Sequence, residues 1–240
     1  MTTALPIVFI PGASSDETTW ADQQRHFDGR TQVIVAGLTQ FDTIDAMSDQ
    51  VLKLAPPEFL LCGTSMGGYV ALDVLKKAQA RVKKVALCNT TARADTPERR
   101  SQRQAEINLG EEAYLKARQD DNHYSAFLSE ASLRNRALIA RLREISTRVG
   151  YGCFKRHQNA CATRSDSLAF LESIDIPVLV VGGAEDKLIP SALQEEIHQK
   201  IGQSRLRIIS GAGHITQMEK PDEMTSVLAE FFFAGEGRAA

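Results

Sequence analysis

Six short apolar runs punctuate the chain, at 7–10, 33–36, 59–62, 85–88, 178–181 and 206–209, each followed by glycine or a polar turn. The first five lack alternation, the pattern of strands buried on both faces of a sheet. The sixth is interrupted by Arg207, which predicts a place near a sheet edge. Between most of these runs the period becomes helical. Met66, Val70, Ala71, Val74, Leu75 and Ala78 share one face of a segment whose last turns carry Lys76 and Lys77, cations suited to the negative end of a helix. A further helix is predicted after Pro221, where Met224, Val227, Leu228 and Phe231 recur every three to four residues. Alternating strands and helices predict an α/β fold with a parallel sheet of about six strands covered by helices on both faces.

Residues 94–170 break this rhythm. They contain no strand-like run, read as helical, and are rich in Arg, Gln and Ser. They carry 13 basic and 10 acidic residues, net +3, so the rest of the −2 chain is −5. No Pro/Gly-rich linker marks the change. The expectation is therefore a helical lobe, 93–175, inserted into a core made of 1–92 and 176–240.

Composition narrows the class. The chain has 240 residues, and its 28 basic and 30 acidic residues nearly balance. That balance argues against a dedicated nucleic-acid binder, which needs a strong basic footprint. The N-terminus lacks a basic segment followed by an apolar stretch, and no run reaches the ~18 apolar residues of a membrane helix. Cys62 and Cys88 sit in strand-like runs, and Cys153 and Cys161 are eight apart, which fits no zinc spacing. Reduced, buried thiols and a cytoplasmic location are expected.

The chemistry concentrates at three places. Gly63-Thr64-Ser65-Met66-Gly67 matches G-x-S-x-G and joins a buried strand directly to the clearest helix. That setting is the one a nucleophile elbow needs, with glycines relieving a crowded turn and a helix N-terminus facing developing negative charge. A serine hydroxyl needs a base. Of five histidines, His26, His123, His157 and His198 lie in helical or polar segments and read as solvated. His214 stands in Gly211-Ala212-Gly213-His214, just past the last strand, where sites of open parallel sheets collect. The base needs a carboxylate, and Gly182-Gly183-Ala184-Glu185-Asp186 supplies two, with Asp186 preferred and Glu185 the alternative. The order Ser65, Asp186, His214 is itself characteristic of one fold. Two N–H donors are expected for an oxyanion: Met66, after the serine, and Ala13 in the loop after the first strand, with Gly12 second.

These pieces resemble an α/β-hydrolase. The matching residues are Ile10-Pro11-Gly12, Trp20, Gly63-Thr64-Ser65-Met66-Gly67-Gly68, the run from Gly183 to Pro190, and Gly213-His214. They cover roughly 5–92 and 176–234, with 93–175 in the place of a cap. Within that family the chain is similar to small bacterial carboxylesterases with a short helical cap, including the pimeloyl-carrier methyl ester esterase type. It departs from many relatives in having Pro11-Gly12 where they have His-Gly. With four residues before Leu5, the two leading strands of larger relatives are expected to be missing. The resemblance implies a serine hydrolase acting on a small-molecule carboxylic ester through an acyl-enzyme, with no cofactor or metal. Carbon–carbon bond hydrolases, enol-lactonases, cofactor-free perhydrolases and non-catalytic binding proteins share the fold. The Trp that often follows the catalytic histidine in the carbon–carbon hydrolases is Ile215 here.

One charge pattern remains. Between 132 and 164, eight basic residues face a single acid, Glu144. Arg134, Arg141 and Arg148 are seven apart and are expected on one helix face. That face is either solvated or a steering surface for an anionic substrate or an acidic carrier protein.

Overall fold

The protein is described by a computed structural model over residues 4–233, so the outermost limits of the expected core, 1–3 and 234–240, lie outside the described residues. Six strands, β1 (Ile7–Ile10), β2 (Val33–Val35), β3 (Phe59–Thr64), β4 (Val82–Cys88), β5 (Val178–Gly183) and β6 (Ser204–Ile209), form one sheet in the order β2-β1-β3-β4-β5-β6. Every neighbouring pair is parallel. Each expected strand is present. β6 is an edge, as Arg207 implied, but β2 is the other edge and is only half-buried. Its apolar run therefore did not mean burial on both faces, because no strand beyond it excludes water.

Strand residues alternate between two cores. Val8, Ile10, Phe59 and Leu61 point toward α2 (Ile44–Leu54), α3 (Met66–Ala78) and α7 (Ser191–Lys200). Ile7, Phe9, Leu60 and Cys62 point toward Trp20, α1 (Ala21–Phe27) and α9 (Pro221–Phe233). Burying each such side chain contributes about 1.5–3 kcal/mol. α3 is buried more widely than its predicted stripe, since Gly67, Gly68, Tyr69 and Leu72 are buried too. It lies between the sheet and α2 and also floors a cavity.

The stretch between β4 and β5 holds α4 (Pro97–Asn108), α5 (Gly110–Gln119) and α6 (Arg136–Thr163), with Leu109 between the first two, 3-10 turns between the last two, and no strand. Thr96 caps α4 and Asn135 caps α6 through side-chain bonds to backbone N–H groups. α6 is interrupted at Gly150, whose φ of 69° and ψ of 175° are open only to glycine. This inserted helical region has its own small core of Tyr124, Leu128, Leu138, Ile139, Leu142 and Ile145, against which Met218 of α8 (Thr216–Glu219) packs. Its two ends are tied together where Ser167 N–H donates to Ala92 O at 2.8 Å.

The basic stretch is not one open face. Arg134 lies in the 3-10 turn before α6. Arg141 pairs with Asp22 at 2.9 Å and Arg148 with Asp16 at 2.6 Å, so they clamp α6 onto the start of α1 and the loop after β1. Arg136 and Arg143 pair with Asp121. Among the described residues all four cysteines are buried and unbridged, and no helix is long and apolar enough to cross a membrane.

Candidate active site

Ser65 sits in the one-residue turn between β3 and α3, with φ 53° and ψ −117°. A non-glycine residue in that region costs about 1–3 kcal/mol and persists only where its surroundings impose it. Here Ser65 N–H donates to Cys88 O at 2.9 Å, and Ser65 O accepts from Gly68 N–H at 2.9 Å and Thr90 Oγ1 at 2.8 Å. The turn is also tight. A Cβ on Gly63 would run into Gly67 O, and one on Gly67 into Ile10 O. The flanking glycines of the motif are thus required by close backbone approach.

His214 follows β6 and is fixed by its own N–H, which donates to Phe127 O at 2.6 Å. Its Nε2 is 2.9 Å from Ser65 Oγ and its Nδ1 is 2.8 Å from Asp186 Oδ2. With Nδ1 carrying the proton toward the carboxylate, Nε2 is the acceptor for the serine hydroxyl. Asp186 Oδ1 accepts from Leu188 N–H and Ile189 N–H, both at 2.9 Å, and Oδ2 also accepts from Asn89 Nδ2 at 3.0 Å. Burial would raise this carboxyl, but the hydrogen bonds from His214, Ile189 and Asn89 outweigh it and hold it below the ordinary carboxylate value. Of the two acids left open by the sequence, Asp186 is the one beside His214. Glu185 turns away, and its Oε2 accepts from Glu130 N–H at 2.9 Å in the inserted region.

Gly12 and Ala13 line the same cavity as Ser65, and a Cβ on Gly12 would stand 3.5 Å from Ser65 Cβ. Met66 opens α3, so its N–H is one of that helix's unpaired amides. The loop after β1 is itself held from the insertion. Ser14, at φ 54°, donates its N–H to His157 Nδ1 at 2.9 Å, and His157 Nε2 is 3.2 Å from Leu38 O. His157 is 1% exposed, so the expectation that it is solvated fails. Desolvation favours its neutral form and lowers its pKa. His123 also departs from that expectation. It lines the cavity, and burial together with the Arg118 charge brings it to about 4. His198 is half-buried with Nδ1 2.7 Å from Ser204 Oγ, and only His26 is exposed.

Two residues with a part in the site went unread in the sequence. Asn89, at φ 45°, bonds both Asp186 and Gly213 O and accepts from Thr216 Oγ1. Its signal was its place directly after β4, at the carboxyl end of a buried strand. His157 had no such signal, because a histidine inside a long helix carries no mark of the loop it meets across the fold.

The hydrogen-bonded set opens into a cavity of about 790 Å³. Its floor is core, and its walls include Tyr114, Phe127, Leu142, Ile145 and Phe154 of the inserted region. Apolar side chains of the inserted region and a set of charged ones, among them Arg103 and Arg164, share this lining, and a cavity of this size suits a small molecule.

Comparison with known proteins agrees with this architecture. A family model described as the alpha/beta hydrolase fold matches residues 10–221. A pimeloyl-(acyl-carrier protein) methyl ester esterase of Neisseria meningitidis serogroup B is 25% identical over 198 residues, spanning 81% of this chain and 76% of that protein. Among solved structures, a thermophilic esterase from Thermogutta terrifontis superposes with a TM-score of 0.80 at 26% identity, covering 95% of this chain and 89% of the other. The enol-lactonase from Burkholderia xenovorans LB400 superposes with a TM-score of 0.82 at 24% identity, over 95% of this chain and 91% of the other, a likeness of fold. A model match across most of the chain, on a six-stranded parallel sheet with an inserted helical region, makes this chain a member of the α/β-hydrolase fold family.

Proposed function

We propose that this chain is a serine hydrolase of carboxylic esters, with Ser65 as nucleophile, His214 as base and Asp186 as orienting acid. The observation that carries the reading is the continuous hydrogen-bonded line from Ser65 Oγ through His214 to Asp186, at 2.9 and 2.8 Å, opening into a cavity of about 790 Å³. Ser65 Oγ attacks the ester carbonyl while His214 Nε2 takes its proton. The carbonyl π electrons move onto oxygen, where the N–H groups of Met66 and Ala13 receive them. Each such donor is worth roughly 2.7–4 kcal/mol of transition-state stabilisation. Collapse expels the alcohol, which takes the proton from His214. Water, deprotonated by the same His214, then attacks the acyl-enzyme and releases the acid. Asp186 keeps Nδ1 protonated throughout and stabilises the imidazolium. His157, by anchoring Ser14, sets the backbone on which Ala13 N–H is carried.

The inserted region 93–175 acts as a cap, since it supplies much of the cavity wall and reaches His214 through Phe127 O. A small-molecule ester fits this enclosure. A carrier-protein surface on Arg134, Arg141 and Arg148 draws no support from the geometry, as Arg141 and Arg148 are engaged with Asp22 and Asp16. The four unbridged thiols support a reducing, cytoplasmic setting. The test is turnover of short p-nitrophenyl esters by wild type and by Ser65→Ala. Turnover in wild type that vanishes in the variant upholds the proposal. Equal turnover in both removes Ser65 from the mechanism, and none in either removes ester hydrolysis.

A further inference from the structure

The wall of the cavity that Ser65 faces contains a charge imbalance that the ester chemistry does not use. Four guanidinium groups, Arg99, Arg103, Arg118 and Arg164, meet two carboxylates, Asp95 and Glu106. Lys187, which also borders the cavity, is answered by Glu130 at 3.9 Å. The imbalance is sharpest at Asp95. Its Oδ2 accepts from Arg103 Nε at 2.5 Å and its Oδ1 pairs with Arg164 Nη1 at 2.6 Å. Side-chain exposure is 4% for Asp95, 6% for Arg164 and 11% for Arg103. One buried cation, Arg164, and one largely covered cation, Arg103, thus share one anion, leaving a surplus of one positive charge. Removing an ion from water without a counter-charge is costly.

Part of the cluster has a structural duty. Arg164 ends α6, donating to Cys161 O at 2.6 Å and Arg93 O at 3.1 Å, and with Asp95 it ties the two junctions of the insertion. That duty needs one arginine. Arg103 comes from the middle of α4, and besides Asp95 it donates from Nη1 to Gln158 Oε1 at 2.5 Å. Its Nη2 makes no hydrogen bond to a described residue. Position completes the case. The Arg164 guanidinium lies 4.1 Å from the centre of the Tyr69 ring, and Tyr69 is one turn along α3 from Ser65, about 6 Å of helix. Tyr69, Arg103 and Arg164 border the same cavity as Ser65 and His214.

We propose that the Arg103–Asp95–Arg164 cluster is a carboxylate-binding subsite of this cavity, so that the preferred substrate is an ester carrying a second, free carboxylate. The substrate anion supplies the charge missing from the cluster, and Arg103 Nη2 is its donor. Within the cluster the surplus is a single charge, which matches the one charge of a carboxylate. The assignment rests on the ester-hydrolase reading for its chemistry and on the cavity for its geometry, so the test measures binding as well as turnover.

Two probes are compared: p-nitrophenyl hydrogen adipate and its methyl-capped, uncharged counterpart. Wild type is expected to show kcat/KM at least about tenfold higher for the anionic ester, and calorimetry on Ser65→Ala at least about tenfold tighter binding of it. Arg103→Gln should collapse that ratio toward one. Asp95→Asn should widen it, since it removes the competing carboxylate. A purely structural ion pair moves the two variants in the same direction, so opposite signs are the mark of the subsite. Equal kcat/KM and equal binding for the two esters would overturn the subsite and leave ester hydrolysis standing. Selective binding by Ser65→Ala without turnover of either ester by wild type would overturn the hydrolase reading and leave the subsite standing. Should either cluster variant fail to fold, the comparison of the two esters on wild type and Ser65→Ala decides by itself.

Discussion

Ser65 holds a backbone conformation that serine avoids, and its neighbours enforce it: Cys88 O and Thr90 Oγ1 from β4 and its loop, and two glycines that let three chain segments touch. The strain lifts Oγ toward His214. Removing that oxygen alone, in Ser65→Ala, should abolish ester turnover and leave the circular dichroism spectrum unchanged. The two acids of the β5 loop should separate cleanly. Asp186→Asn disturbs the imidazole tautomer, and loss on the order of 10⁴ in kcat is expected. Glu185→Gln, at a side chain that accepts from Glu130 N–H and stands away from His214, should stay within a few-fold; the reverse order would move the acid to Glu185. His157→Phe removes the acceptor that Ser14 N–H uses. It should lower kcat about tenfold or more with little change in KM, and weaken a boronic-acid transition-state mimic in proportion. A rise in KM alone would make His157 a packing residue.

Among the elements, α6 carries the clearest dependence on a single residue. Gly150 interrupts it in a backbone region closed to side chains, and the following segment delivers Phe154 to the cavity and His157 to Ser14. Gly150→Ala should destabilise the fold by about 1–3 kcal/mol in urea unfolding. No loss would mean that the break is not imposed by the native packing. The strands and α3 were legible from sequence because a parallel sheet buried on both faces writes itself as unbroken apolar runs. β2 misled because its three residues carry the same apolar pattern at an edge. The arginines of 134–148 were legible only in part: spacing shows which residues can share a helix face, but not that Asp22 and Asp16, far away in the chain, pair with Arg141 and Arg148. The serine, the histidine and the acid were legible because loops at strand ends leave few residues to choose from. Asn89, His157 and the Arg103 cluster were not, since each acquires its meaning from a partner remote in sequence.

For the whole molecule, desolvated histidines set an acid limit on stability. His123 is brought to about 4 by burial and the Arg118 charge, and desolvation lowers His157. Each titrates near 6.5 when unfolded. As pH falls below about 6.5 the unfolded chain takes up protons that the native state refuses, so stability should decline from there toward pH 4. Asp186 works from its own window. Its folded value is depressed, so its contribution is full above the unfolded value near 3.9 and is lost as pH falls through the folded one. The melting temperature is expected to drop steadily between pH 6.5 and 4, and more steeply below. His123→Phe should flatten the upper part of that fall, and a flat profile over this range would contradict the assignment of neutral, desolvated histidines.

The covalent intermediate separates this mechanism from its alternatives. Rapid mixing with p-nitrophenyl acetate should release a burst of nitrophenol of about one equivalent per chain, if deacylation is the slower step, and acid quench followed by peptide mass mapping should find one acetyl group on Ser65. Both signals should vanish in Ser65→Ala. An acetyl group on another residue, or ester turnover undiminished in Ser65→Ala, would contradict the proposed mechanism.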